Sequence, residues 1–297
     1  MNPFSRRIRL NLYSLLPFVF LATILSVQVI PLDALSAIDS GLESQVESYI
    51  KGLRAKGLIR GDERTAWLVY DITSESKLVS INEDLSLQAA SMVKPFLALA
   101  FFHQVEAGNI IYGPESRKHM ESMIQKSSNT ATNWIMRQIG GPATTEALLK
   151  KNYPWLTRHL TLVEYIPDNG RTYLNKSAAG DYGRFLVQLW RHQLPHSEEI
   201  LRVMNLPGPD RLYTEARRVP QGTKVFNKTG STAMCCGDMG ILVAKGTDGH
   251  TYPYILVGII ESGHRNNSYG PWISKRADVI REVSNIVYLG MKQRHPL

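Results

Sequence analysis

The chain has 297 residues, 43% of them hydrophobic and 20% charged, with a formal charge of +8. That is ordinary globular composition, long enough for a substantial core. The charge comes without a basic run interleaved with aromatics, which argues against a nucleic-acid partner. The two cysteines are neighbours, Cys235 and Cys236, and neighbours cannot staple distant parts of a fold. They form either a strained vicinal disulfide or two buried thiols. Two cysteines rule out a cysteine-rich zinc site, and no His-x-His or His-Glu-x-x-His pattern occurs, so neither metal nor cofactor is expected.

The N-terminus reads as a targeting segment. Arg6, Arg7 and Arg9 form a basic start, an apolar run extends from Leu10 to Ile30, and Pro31 ends it. Ala34 and Ser36 are small residues at the spacing signal peptidases read, so residues 1–36 are expected to be a signal peptide cleaved after Ser36. An uncleaved anchor is the alternative, because the run is nearly long enough to span a bilayer. Either way residues 37–297 are expected outside the cytoplasm, in the periplasm, with membrane contact only through the N-terminal segment. About +6 of the charge remains there, which suits anionic envelope polymers as well as plain solubility.

In the exported part, Leu42, Val46, Ile50 and Leu53 recur at helical spacing. Thr65–Asp71 and Leu78–Asn82 read as strands joined by a polar turn, followed by a helix from about Ser91 to Ala107 with Gly108 beyond its end. Residues 114–206 read as mostly helical, interrupted by one long irregular stretch at about Leu160–Asn175. Thr223–Asn227, Gly240–Ala244 and Pro253–Glu261 are strand-like, and a last helix is predicted over Ser274–Leu289. This order predicts an α+β architecture: an antiparallel sheet flanked by the terminal helices, with an all-helical lobe inserted between its first and last strands. A cleft between sheet and lobe is the natural place for a site.

Three short motifs fall where that cleft is expected. In Ser91-Met92-Val93-Lys94, Ser91 is a suitable N-cap, placing Lys94 in the first helical turn on the same side. A serine at a helix N-terminus is a nucleophile in positive potential, and a desolvated lysine beside it can accept its proton. In Ser127-Ser128-Asn129, a hydroxyl and an amide at a helix start can relay a proton and bind a substrate carbonyl. In Lys228-Thr229-Gly230-Ser231, a strand offers positive charge, two hydroxyls for a carboxylate, and a glycine that lets a ligand approach the backbone. Each motif alone is common. All three together, in this order, are not.

Together with Ala89–Lys94, Ser127–Gly141 and Gly240–Ala244, these motifs resemble the class A β-lactamase-like serine hydrolases, within the β-lactamase and penicillin-binding protein superfamily. The resemblance covers roughly residues 38–290. It implies a nucleophile at Ser91, a base or proton shuttle at Lys94, and a shuttle at Ser127. It also implies substrate contacts at Asn129, Thr229 and Ser231, electrostatics from Lys228, and an oxyanion hole made by the amides of Ser91 and Ser231.

Departures from the pattern are equally specific. Class A enzymes carry a deacylating glutamate just before a proline on the long loop; here Ile166 precedes Pro167. Glu164 lies close and is the candidate base, with Asp168 its nearest acidic neighbour. A loop-pinning pair of Glu164 with Arg158 or Arg171 is the alternative. No arginine follows the Lys228 strand, where Gly237-Asp238-Met239 stands instead, and Arg276 is the expected substitute for binding a substrate carboxylate. The leading expectation is a β-lactamase in which water activated at Glu164 hydrolyses the acyl-Ser91 ester. The next is a D-alanyl-D-alanine peptidase acting on peptidoglycan stems, which needs no such glutamate. The third is a β-lactam sensor that is acylated without turnover.

Overall fold

The computed structural model describes residues 40–167 and 174–297. The expected signal peptide, and Asp168 and Arg171 of the long loop, lie outside the described residues.

Helix α1 (Ser40–Ala55) leads into β1 (Arg64–Asp71) and β2 (Ser76–Ile81), and later β5 (Lys224–Ser231), β6 (Cys235–Lys245) and β7 (Thr251–Glu261) complete one sheet. Its five strands run in the order β2-β1-β7-β6-β5, each pair antiparallel. Alternation along each strand sorts the side chains into two cores. Trp67, Val69, Leu242 and Leu256 face α1 and the long closing helix α8 (Tyr269–Arg294), meeting Leu42, Val46, Ile280 and Val283. Leu68, Tyr70, Ile241 and Val257 face the helical block.

That block comprises α2 (Lys94–Glu106), α3 (Pro114–Ile124), α4 (Asn129–Ile139), α5 (Pro142–Asn152), α6 (Ala179–Trp190) and α7 (Ser197–Met204). Helix α2 runs through its centre, buried at every residue from Lys94 to Phe102. Phe96 packs against Tyr182 and Phe185 of α6, with ring centroids 5.6 and 5.1 Å apart. A helix apolar all round belongs inside a domain, so the lysine at its start is desolvated by the same packing. Two-residue strands β3 (Leu87–Gln88) and β4 (Lys176–Ser177) pair beneath it; they are too short to carry a periodicity in sequence.

The α+β architecture is therefore as expected, and several elements are longer than their patterns. Lys228–Ser231 lies on a strand as expected, continuous with the strand-like residues before it, while the strand predicted from Gly240 begins at Cys235, and α8 spans Tyr269–Arg294. Cys235 and Cys236, adjacent on β6, belong to opposite cores and are free thiols. Burial pushes both up, Cys236 to about 11, so neither is a ready thiolate. Among the described residues, no helix is long and apolar enough to cross a membrane.

Candidate active site

Ser91 does not cap α2. It lies inside a 3-10 turn, Ala90–Val93, and α2 begins only at Lys94, with Val93 at the cap position and no side chain capping either element. Pro95 fits the first turn, where an amide has no helical partner. The turn is set by contact with the sheet. Ala90 has φ 46, left-handed for a residue with a Cβ, and such strain persists only where surroundings enforce it. The enforcement is Met92, wedged against β5 and β6: a Cβ on Gly230 would sit 2.9 Å from Met92 Cγ, and one on Gly237 would sit 2.7 Å from Met92 Cε. Gly230 was expected to admit a ligand to the strand; the turn that carries Ser91 packs against it, through Met92 and Ala90.

Lys94 is fully buried. Its Nζ donates to the Ser127 carbonyl at 2.6 Å, to Ser127 Oγ at 3.1 Å and to Asn129 Oδ1 at 3.2 Å. Ser127 reaches it through a left-handed backbone, φ 55, and Ser128 holds the start of α4 by accepting the Ala131 amide at 3.2 Å. Burial first, and the charge of Lys228 second, hold the Lys94 ammonium well below the usual lysine range. The three bonds Nζ donates are those of the ammonium; a lysine lowered in this way gives up a proton more readily than an exposed one, and its amine form can accept one.

Lys228 lies on the edge strand β5 and is itself buried, its Nζ donating to the Thr229 carbonyl at 3.0 Å. Burial lowers it to about 8, with Arg211 adding to that and Asp238 opposing it. Ser231 Oγ accepts Arg211 Nη2 at 2.7 Å, which leaves its own O–H to donate elsewhere. Lys94, Ser127, Asn129, Lys228, Thr229 and Ser231 are thus gathered around the turn that carries Ser91.

Arg276 is not among them. Its guanidinium forms a two-pronged ion pair with Glu63, Nε and Nη2 each at 2.7 Å, inside the core between sheet and α8. The cation near the site comes instead from Arg211, which sequence reasoning missed. It precedes β5, on a turn where Asp210 accepts the amides of Leu212, Tyr213 and Thr214. The Arg211 amide donates to Asp238 at 2.7 Å and Nη1 to the Gly237 carbonyl at 2.8 Å. The Pro209-Asp210 turn was the available signal, but nothing in the sequence says that the arginine beside it reaches β6.

The long loop is held by two asparagines. Asn133 of α4 exchanges two hydrogen bonds with the backbone of Ile166, 2.6 and 2.9 Å, and the Ile166 side chain is buried in the core. Asn175 binds the backbone of Val163 and Glu164. Glu164 Oε1 accepts the Leu174 amide at 3.0 Å, so its carboxylate fastens the two arms of the loop. Among the described residues, no group of three or more His, Cys, Asp or Glu side chains could hold a metal ion.

A sequence profile described as "Beta-lactamase enzyme family" matches residues 45–113 and 114–289. No curated protein matches the chain. Among solved structures, PBP-A is similar at 19% identity and TM-score 0.70, over 87% of this chain and 98% of that one. A point mutant of PBP-A, solved as an acyl-enzyme complex with penicillin G, gives 19% and 0.68 over 87% and 100%. A β-lactamase from Desulfarculus baarsii DSM 2075 gives 18% and 0.66 over 86% and 99%. At such identities the likeness concerns the fold.

Proposed function

The chain belongs to the β-lactamase enzyme family, and from that premise we propose that it is a serine hydrolase acylated at Ser91 by β-lactams. One observation carries the reading: the buried Lys94 amine bonded to Ser127 and Asn129 beneath the Ser91 turn. In this mechanism Lys94, whose ammonium form burial disfavours, takes the Ser91 hydroxyl proton in its amine form as Oγ attacks the lactam carbonyl carbon. The oxyanion is received by the amides of Ser91 and Ser231. The proton passes from Lys94 through Ser127 Oγ to the lactam nitrogen as the C–N bond breaks, leaving an ester on Ser91. Asn129 accepts or donates at the substrate amide, while Lys228, Thr229, Ser231 and Arg211 hold its carboxylate.

Water must then attack the ester. In the β-lactamase form of the mechanism Glu164 is the base that takes the water's proton. A second reading is favoured by Ile166, an apolar residue just ahead of Pro167 with its side chain in the core. This is the D-alanyl-D-alanine peptidase, which forms the same acyl-enzyme on peptidoglycan stems. Residues 1–36, read as a signal peptide, support export to the envelope where either substrate is met. The test is a fluorescent-penicillin burst followed by a chase, run beside D-alanine release from a stem peptide. A burst with turnover of the label supports the β-lactamase, a lasting adduct with D-alanine release supports the peptidase, and no burst refutes both.

A further inference from the structure

Behind the substrate face of β5 sits a carboxylate that the mechanism does not use. Asp238 is fully buried on β6, paired in register with Thr229. Its Oδ2 accepts the Arg211 amide at 2.7 Å, and Asn227 Nδ2 lies 3.0 Å from each oxygen. We propose that Asp238 is a positioning and charge-setting residue for anionic substrates: it fixes Arg211 against β5 and, by its charge, offsets the Arg211 and Lys228 cations that receive a substrate carboxylate. This rests on the reading that the substrate carries such a carboxylate.

The surroundings are sparse enough to follow charge by charge. The segment ahead of β5 brings Arg211 and Asp210, β5 brings Lys228 and Asn227, and β6 brings the Cys236 thiol. From β7 the register partner is Gly258. From α8 the nearest charges are committed elsewhere, Arg276 to Glu63 and Arg281 to Asp278 and Glu215. Burial pushes Asp238 up to about 7, against the pull of Arg211 and Asn227, while Asp210 adds to the rise. Below that pH Asp238 is neutral and the two cations face the substrate unopposed. Above it the carboxylate offsets them. A bound substrate carboxylate favours the protonated form, so by linkage carboxylate affinity falls as pH rises through about 7.

Lys228 titrates nearby, at about 8, so the test removes that complication. Lys228→Arg stays charged throughout the range. In this variant, rapid-mixing acylation gives separately the dissociation constant of the noncovalent penicillin complex and the acylation rate constant, from about pH 5.5 to about pH 8.5, a span that brackets the ordinary titration range of a raised carboxyl group. The dissociation constant should weaken about tenfold, the equivalent of one unit of linked protonation. The penicillin methyl ester should show no such slope. Adding Asp238→Asn should flatten the penicillin curve at its tight, low-pH value while the acylation rate constant changes little. A flat curve for penicillin in Lys228→Arg, or an equal slope for the methyl ester, overturns the role of Asp238 without need of the double variant. The same slope with and without Asp238 does so too. Absence of labelling at Ser91 at every pH in the unaltered protein overturns the hydrolase reading itself, and this proposal with it.

Discussion

Replacing Arg276 with methionine separates a structural arginine from a substrate-binding one. Glu63 is fully buried at its side chain and holds Arg276 by two bonds of 2.7 Å. Without them it keeps Trp272 Nε1 at 2.6 Å and the Arg60 amide at 2.7 Å. Removing one partner of a buried ion pair costs about 3–5 kcal/mol, and these two donors, with the Arg60 guanidinium 3.8 Å from Oε1, keep the loss to about 3 kcal/mol. In a domain of this size each kcal/mol moves Tm by about 2–4 °C, so melting should fall by roughly 6–12 °C. The loss should also depend on pH. Burial raises Glu63, but Arg276, the Arg60 amide and Trp272 outweigh it and hold its carboxyl below the usual range. Its stabilisation is therefore complete above the ordinary glutamate range and disappears as pH falls through the depressed folded value, and the variant should lose that acid limb. Calorimetry at several pH values, beside penicillin acylation at a temperature where both proteins are folded, checks this. Acylation should stay within about twofold, since the interaction removed is distant from the transition state. An unchanged Tm with acylation reduced tenfold or more would refute the structural assignment and return Arg276 to the substrate site.

Lys94→Ala should slow acylation by about 10²–10⁴, the range of a positioned acid-base group, measured by the rate of label incorporation. Glu164→Gln should preserve the acylation burst and lengthen the adduct's lifetime, and loss of the burst would make Glu164 only a loop fastener. Ile166→Glu puts a carboxylate where the Ile166 side chain is buried in the core, and it should lower the melting temperature, read by calorimetry. Gly230→Ala drives a methyl group into Met92 Cγ and close to Ala90 Cβ at 3.1 Å. The overpacking should cost about 1–3 kcal/mol in melting experiments and lower acylation through displacement of the Ser91 turn.

The three motifs are legible because their chemistry fixes residue types at fixed spacing, and the order of helices and strands along the chain because apolar periods switch from helix to strand and back. What escapes the sequence is decided by distant contacts. Arg276 looks available because its partner Glu63 lies 213 residues away. Arg211 looks like any surface arginine because its reach depends on β6 lying alongside β5. Ser91 has the composition of a helix cap, yet Met92 pressed against two glycines turns the chain into a 3-10 turn first. An alanine before Ser91 gives no sign of a left-handed backbone. The sequence places Ile166, not an acid, ahead of Pro167. That its backbone would be clasped by Asn133 of α4, the helix that follows the second motif, is not readable from the sequence.

The most direct measurement is the site and lifetime of the penicillin adduct, read by intact mass over time and by peptide mapping. The expected result is one acyl group per chain, on the peptide containing Ser91, absent from Ser91→Ala, and lost far more slowly than it forms. An adduct on another serine, or no adduct while the protein remains folded, would contradict the assignment of Ser91, Lys94 and Ser127 as the acylation machinery.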